Sequence, residues 1–484
     1  MGWVRPLLIA VFLTQPVVVA GAVSAPYRVG STATLAPGVV HERGTMTTTT
    51  AGKQAVNVAR VDLAQPVLRL ESVLSNDQIL GLEPVTQQAN RRNREAHRAV
   101  VAINGDQFDT KQAPSGMQIA SGELIAYGPK PRPAFGVTAD RKALIDVAGI
   151  TGSVCRPDGV CMTIARVNQA RTMGEGAGEL VLFTSRFADT TGTDDSGNEV
   201  VLSGVTLPLP SRGSFSGIVK KVRTKAGATP IGANEVVLSG SGTGAKFLQF
   251  LADGTRLAIT FTISTRWENV TDAVSGPNIL VRDGAVTIEP YTHGYADVAS
   301  PRTAVGVDAK GNVLIFVIDG RQPGYSMGVT LDELAELMAK EGVVDALNLD
   351  GGGSTTFAAR TPGTDGVTMF NRASEGYERP VSNALVVFST APTGPLASIL
   401  IRPDSASVLL GSRIDYDALG VDAAQNAVKL PQAPRWESTA GTIDASGRFT
   451  AGLAGDGTVK AISERISATT PVSVVQNLAS LEIA

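Results

Sequence analysis

The chain has 484 residues, with 52 glycines, 26 prolines, two cysteines, and 42 basic against 45 acidic side chains. That length allows two or three domains with full cores, and near-balanced charge without a basic, aromatic-laced block argues against a nucleic-acid partner. Many turn residues, abundant Val and Thr and few long amphipathic runs predict many short strands, so a β-rich protein is expected.

Residues 1–22 read as an export signal. Arg5 lies near the start, an apolar core runs from Leu7 to Ala20, and small residues follow. Cleavage after Ala22 or after Ala25 fits this pattern, and Pro26 immediately beyond the second point favours the first. A retained anchor is the alternative, and either way the body is expected outside the cytoplasm: secreted, periplasmic or at the cell surface. No later segment approaches the 18 or so apolar residues of a membrane span.

Val56 to Val73 reads as two strands around Gln65-Pro66, and Glu83 to Arg98 as a helix with Pro84 in its first turn. The apolar run Ala99–Ile103 then reaches Asn104-Gly105-Asp106-Gln107-Phe108. Asn-Gly is a strong hairpin signal, but it equally suits a strand end that holds Asn104 and Asp106 for a site. Residues 141–270 read as short strands separated by turns and offer the least functional signal. Within them, Cys155 and Cys161 flank Pro157-Asp158-Gly159, which in an exported chain reads as a disulfide closing a tight loop. A zinc site is not expected, because His41, His97 and His293 lie far apart in the sequence. Ser239-Gly-Ser-Gly-Thr-Gly-Ala-Lys246 lacks the spacing of a phosphate loop, and no strong helix is expected after it.

From residue 275 the chemistry becomes denser. Pro301-Arg302-Thr303 opens a strand and Asp319-Gly320-Arg321 closes its partner across the turn at Lys310-Gly-Asn312, so an in-register hairpin places Arg302 and Arg321 on one edge. Two guanidiniums there suit an anion such as phosphate. Thr330-Leu-Asp-Glu333 is a capping box, and Leu331, Leu334, Leu337 and Met338 form one face of a helix ending at Gly342. The next strand leads into Asn348-Leu349-Asp350-Gly351-Gly352-Gly353-Ser354-Thr355, where three glycines remove every Cβ beside a carboxylate. Such a turn is either a simple connection or an anion-binding nest. Arg379-Pro380-Val381-Ser382-Asn383 precedes a last apolar strand. Residues 391–395 (Ala-Pro-Thr-Gly-Pro) read as a linker, and beyond them alternating strands at 8–12-residue spacing indicate a β-sandwich of about 85 residues.

Taken in order, the motifs at 301–308, 317–321, 348–355 and 379–384 resemble those of the phosphodiester glycosidase family, most densely over 275–388. Residues 396–477 resemble a bacterial Ig-like domain, and 478–484 echo its opening, as the start of a further repeat would. The expected class is therefore α+β: a β-rich catalytic domain with few helices at 23–390, then an all-β Ig-like sandwich. The family resemblance implies a hydrolase that cleaves a sugar-1-phosphodiester of the N-acetylglucosamine type into free sugar and a phosphomonoester. It implies Asp350, Asp106 and Asp319 as acid, base or nucleophile. Asn104, Arg302, Arg321, Asn348, Ser354, Thr355 and Asn383 are implied as substrate contacts, with the backbone of Gly351, Gly352 and Gly353. The family often carries two aromatics after Asn-Gly, whereas Gln107 precedes Phe108 here. No cofactor is required by these residues, and a divalent ion held by aspartates stays open. The partner expected is a phosphoglycan, with cell-envelope contact through the Ig-like domain and no nucleic acid. Two alternatives stand beside this: a non-catalytic surface protein that holds glycan, and a metal-dependent phosphodiesterase, which the scarcity of histidines disfavours.

Overall fold

The computed structural model describes residues 25–172, 178–290 and 292–476. The export signal with its cut after Ala22, and the repeat at 478–484, lie outside the described residues. No helix among the described residues is long and apolar enough to cross a membrane.

The β-rich α+β class holds. An eight-stranded antiparallel sheet runs in the order 25–36, 39–48, 52–61, 313–318, 302–308, 343–348, 278–282 and 285–289. Val, Ile, Leu and Phe side chains from this sheet pack against two five-stranded sheets. One has the order 367–369, 357–360, 98–104, 383–389, 68–74; the other has 123–126, 118–120, 270–275, 132–138, 143–148. Ile103, Phe135, Val274, Val305, Leu347, Phe357 and Leu385 meet in one core between the three sheets. Strands buried on both faces explain the unbroken apolar runs at 99–103, 313–318 and 384–388.

Most of residues 150–263 form a further eight-stranded sheet, whose Leu182, Val200, Leu238 and Phe261 share a second core with Ile119, Leu124, Ala134 and Ala273 of the latter five-stranded sheet. Cys155 and Cys161 are directly opposite across its edge hairpin and are disulfide-bonded. Only a short six-residue helix, Thr243–Leu248, forms at the end of the glycine-rich stretch 239–246. It packs Phe247 and Leu248 on that core.

Residues 398–475 build three small sheets around Ile399, Tyr416, Phe449, Val459 and Val472. The 391–395 segment is tied down: the Gly394 N–H donates to Asp422 at 2.7 Å and the Thr393 N–H to Glu95 at 2.9 Å.

The helix expected at 331–341 forms at Leu331–Lys340, and both halves of its capping box are made. The helix expected at 83–98 stops early, at Val85–Arg91. Ala96 takes a left-handed φ of 56°, and Asn93 Oδ1 accepts from the Ala99 N–H at 2.7 Å, so the chain turns back to enter the strand Arg98–Asn104. A local side chain-to-backbone bond has replaced two further helical turns.

Candidate active site

Five strand ends converge on one rim. Asn104 ends one strand, Arg302 begins another, Ile318 and Asn348 end two more, and Asn383 begins the last. The register fixes their proximity, with Arg302 opposite Ile318, Ala304 opposite Asn348 and Ala384 opposite Asn104. Asn104-Gly105 is no hairpin. The Gly105 N–H donates to the Asn383 carbonyl at 3.0 Å, and a Cβ on Gly105 would lie 2.3 Å from Asn383 Oδ1. Glycine is required there by close approach.

A cavity of about 260 Å³ opens at this rim, lined by Arg302, Arg321, Asp350, Gly351, Gly352, Gly353 and Arg379 together with Tyr295. The hairpin 302–318 is in register, and Arg302 and Arg321 reach this same cavity. Arg302 is 1% exposed: its Nε donates to the Val329 carbonyl at 3.1 Å, and its Nη2 to the carbonyls of Tyr295 and Val298 at 2.8 Å each. Its guanidinium lies 4.9 Å from the Tyr295 ring centroid. Burial lowers its pKa, and Arg321 pushes the same way, so this buried cation gains from an anion.

Arg321 is exposed, and its side chain makes no hydrogen bond among the described residues. Its backbone is left-handed at φ 60°, a conformation that costs a non-glycine residue about 1–2 kcal/mol. The guanidinium lies over Gly352, 3.1 Å from where a Cβ would stand. Asp319 holds this loop. It accepts from the Tyr325 hydroxyl at 2.9 Å, Asn371 Nδ2 at 3.0 Å and the Arg372 N–H at 3.1 Å. Asp319 is therefore occupied behind Arg321 and is not brought to the cavity.

Asp350 does line the cavity. Its Oδ1 accepts from the Gly351 N–H at 2.9 Å. Burial raises its pKa; the Ser354 hydroxyl, the Gly351 N–H and Arg379 oppose the rise. The Ser354 hydroxyl is near enough to favour the charged form, although it makes no hydrogen bond of good geometry. A carboxyl raised in this way is suited to taking up and releasing a proton.

Asp106 lies beneath the rim, 1% exposed, with Oδ2 accepting from the Gly116 N–H at 2.7 Å and Oδ1 from Arg132 at 3.3 Å. Burial pushes its carboxyl up to about 7, Arg132 and Gly116 oppose this, and Asp350 adds to it. It lines none of the cavity. Its partner Arg132 lines a neighbouring cavity of about 610 Å³, which also includes Gln107, Asn278 and Tyr295.

The asparagines are engaged in the frame. Asn104 Nδ2 donates to the Asp350 carbonyl at 2.7 Å, and its Oδ1 accepts from the Thr303 hydroxyl at 2.8 Å and the Thr356 N–H at 3.1 Å. Asn383 accepts from the Asp106 N–H at 2.9 Å and donates to Gln118 at 3.1 Å. Asn348 donates to the Tyr295 hydroxyl at 3.1 Å, while its buried Oδ1 has no partner. Ser354 Oγ and Thr355 Oγ1 are orphaned in the same way. Unpaired buried polar atoms cost about 1–3 kcal/mol each, and three of them sit in the segment that includes the glycine triplet.

The glycine nest is smaller than expected. Gly351 donates to Asp350, Gly352 to the Pro301 carbonyl, Ser354 to Gly351 and Thr355 to Gly352. At most the Gly353 N–H is left for a ligand. The glycines instead make room: a Cβ on Gly353 would stand 2.2 Å from Arg379 Nη2. Arg379, Tyr295, Arg132 and Glu375 received no role from sequence reasoning. Arg379 stood inside a quoted motif, so its residue type was the available signal.

Among the described residues no group of three or more His, Cys, Asp and Glu side chains is arranged to hold a metal ion. Three arginines around one half-buried carboxyl suit an anion beside a proton-exchanging group, carried on strand ends of a β-rich fold. Residues 212–388 match the phosphodiester glycosidase family. Over 63 residues it is 48% identical to N-acetylglucosamine-1-phosphodiester alpha-N-acetylglucosaminidase of Homo sapiens, a segment covering 13% of this chain and 12% of the human protein. Two solved structures share the fold. A hypothetical protein from Synechocystis has a TM-score of 0.60 at 21% identity, covering 75% of this chain and 64% of that one. A Burkholderia pseudomallei protein has 0.55 at 24% identity, covering 70% and 75%.

Proposed function

We propose that this protein is an exported hydrolase that cleaves a sugar-1-phosphodiester between the anomeric carbon and its oxygen. The observation that carries the reading is the Arg321 guanidinium, without a hydrogen bond among the described residues, sharing one cavity with Arg379 and the half-buried Asp350, inside the stretch that matches the phosphodiester glycosidase family. Arg321 and Arg379 take the phosphate charge at the mouth, and Arg302 supports it from below. A phosphomonoester, with a second pKa near 6, is a good leaving group, so its departure needs charge stabilisation more than protonation. Asp350 accepts a proton from water as the water oxygen bonds to C1, and the C1–O bond breaks with its electron pair leaving on the phosphate. That proton later passes to solvent. Asp106 acts through its neighbours, holding Arg132 in place beside the rim.

The natural substrate in this reading is an envelope or extracellular phosphoglycan, approached with the C-terminal sandwich as a positioning module. The test is release of free sugar from a synthetic N-acetylglucosamine-1-phosphodiester by the purified protein, with and without chelator. Wild type releases sugar, Asp350→Asn loses about 10²–10⁴ in kcat, and Arg321→Ala raises KM. Binding of intact substrate with no release by wild type overturns the hydrolase in favour of a glycan-binding protein.

A further inference from the structure

Beside the cavity, on its lining residues Arg379 and Gly353, sits one anion whose position the reaction does not explain. Glu375 lies in the loop between the strands Val367–Met369 and Asn383–Ser389. Its carboxylate pairs with Arg379, with Nε to Oε2 at 2.9 Å and a second, shorter contact from Nη2 to Oε1. The pair is pressed on the glycine triplet. A Cβ on Gly353 would be 2.2 Å from Arg379 Nη2 and 2.6 Å from Glu375 Oε1. Glu375 also feels Arg321, which helps hold its carboxyl below the usual range, after Arg379 as the main cause.

Resting on the function proposed above, we infer that Glu375 is a built-in competitor for the substrate's phosphate, occupying the anion position over Gly353 until a ligand displaces it from Arg379. The two-pronged Arg–carboxylate contact has the geometry that Arg uses for phosphate oxygens. It is also weak enough to exchange, because the side chains of Glu375 and Arg379 remain 28% and 35% exposed, where ion pairs are screened. The consequence is specificity by charge. A phosphodiester must outbid a carboxylate to bind, and the phosphomonoester product, which meets the returning carboxylate, is released faster.

Glu375→Gln separates competitor from support. Glutamine keeps the shape and one acceptor for Arg379 but removes the charge. With inorganic phosphate as the probe in calorimetry at low salt, Glu375→Gln binds about three- to tenfold tighter than wild type, and the gain shrinks as salt rises. In turnover KM falls while kcat does not rise. Unchanged or weaker phosphate binding overturns the inference, because Glu375 would then merely orient Arg379. If phosphate binding to wild type is insensitive to Arg321→Ala, the anion site itself is misplaced and the proposed function falls with it.

Discussion

Asp106 is the residue whose environment makes the sharpest physical statement. Its carboxyl is buried among backbone groups and one arginine, and burial outweighs both, pushing the pKa up to about 7 from an ordinary value near 4. A carboxyl with a raised folded pKa binds its proton more tightly in the native state. Its contribution is complete below about pH 4 and is lost as pH rises toward about 7. Asp272, raised to about 6 by burial while it accepts from the N–H groups of Ser72 and Ser121, adds a second loss of the same sign. Thermal unfolding of wild type should therefore show stability from these two groups draining away across that window. Asp106→Asn should flatten part of the slope, and Asp272→Asn another part. Identical slopes for wild type and Asp106→Asn would mean that the carboxyl is solvated and that its coupling to Asp350 is absent.

At the scale of elements, the glycine triplet shows how one turn divides its tasks. A Cβ on Gly351 would meet the Pro301 carbonyl at 2.8 Å, which is backbone and cannot give way. Gly352 sits at φ 62°, where any other residue is strained. Gly353 has neither problem; its Cβ would displace the ends of two flexible side chains, Arg379 and Glu375. Gly351→Ala should thus lower Tm most, while Gly353→Ala should raise KM for a phosphodiester about tenfold with Tm nearly unchanged. Paired KM and Tm measurements check this, and an unaltered KM in Gly353→Ala would remove Arg379 from the site. The same turn marks the limit of what was legible in the sequence. Residue types and spacing bring out the helix at 331–340, because a capping box and an apolar face agree locally, and they bring out the strand ends that carry the motifs. They do not say which way a side chain is used. Asn104 and Asp319 have the right chemistry, yet both are spent on frame bonds, most of them to groups more than 50 residues away. The nest is likewise mostly closed by bonds to Pro301 and to its own turn, and the helix at 83–98 stops early once Asn93 finds the Ala99 N–H. The frame bonds and the Pro301 contact are tertiary outcomes, and the two turn closures are local bonds that compete with the pattern read from residue type.

For the molecule as a whole, the question is whether the C-terminal sandwich belongs to the site or only to the frame. Its contact with the preceding sheets runs through Arg360, which is fully buried and donates to Asn426 Oδ1 at 2.9 Å, to the Leu35 carbonyl at 3.3 Å and to the Ala424 carbonyl at 3.4 Å. Burial depresses its pKa to about 10, so the cation is held at a cost that its partners offset. Leu419 and Val421 cover Gly363 beside it. Removing everything after Pro395 would strip two of the three bond partners but would also let water reach the guanidinium, so an unpaired buried charge is not left behind. A drop in Tm of several degrees is expected, not loss of the fold. None of the residues lining the candidate cavity lies beyond Arg379. For a small soluble phosphodiester, kcat/KM of the truncated protein should therefore stay within about threefold of the full chain, while turnover of a particulate phosphoglycan falls further, because only the latter needs a module that sets position. A tenfold loss on the small substrate would instead tie the sandwich to catalysis, through the strand Phe357–Arg360 that leads from the glycine turn to Arg360 itself.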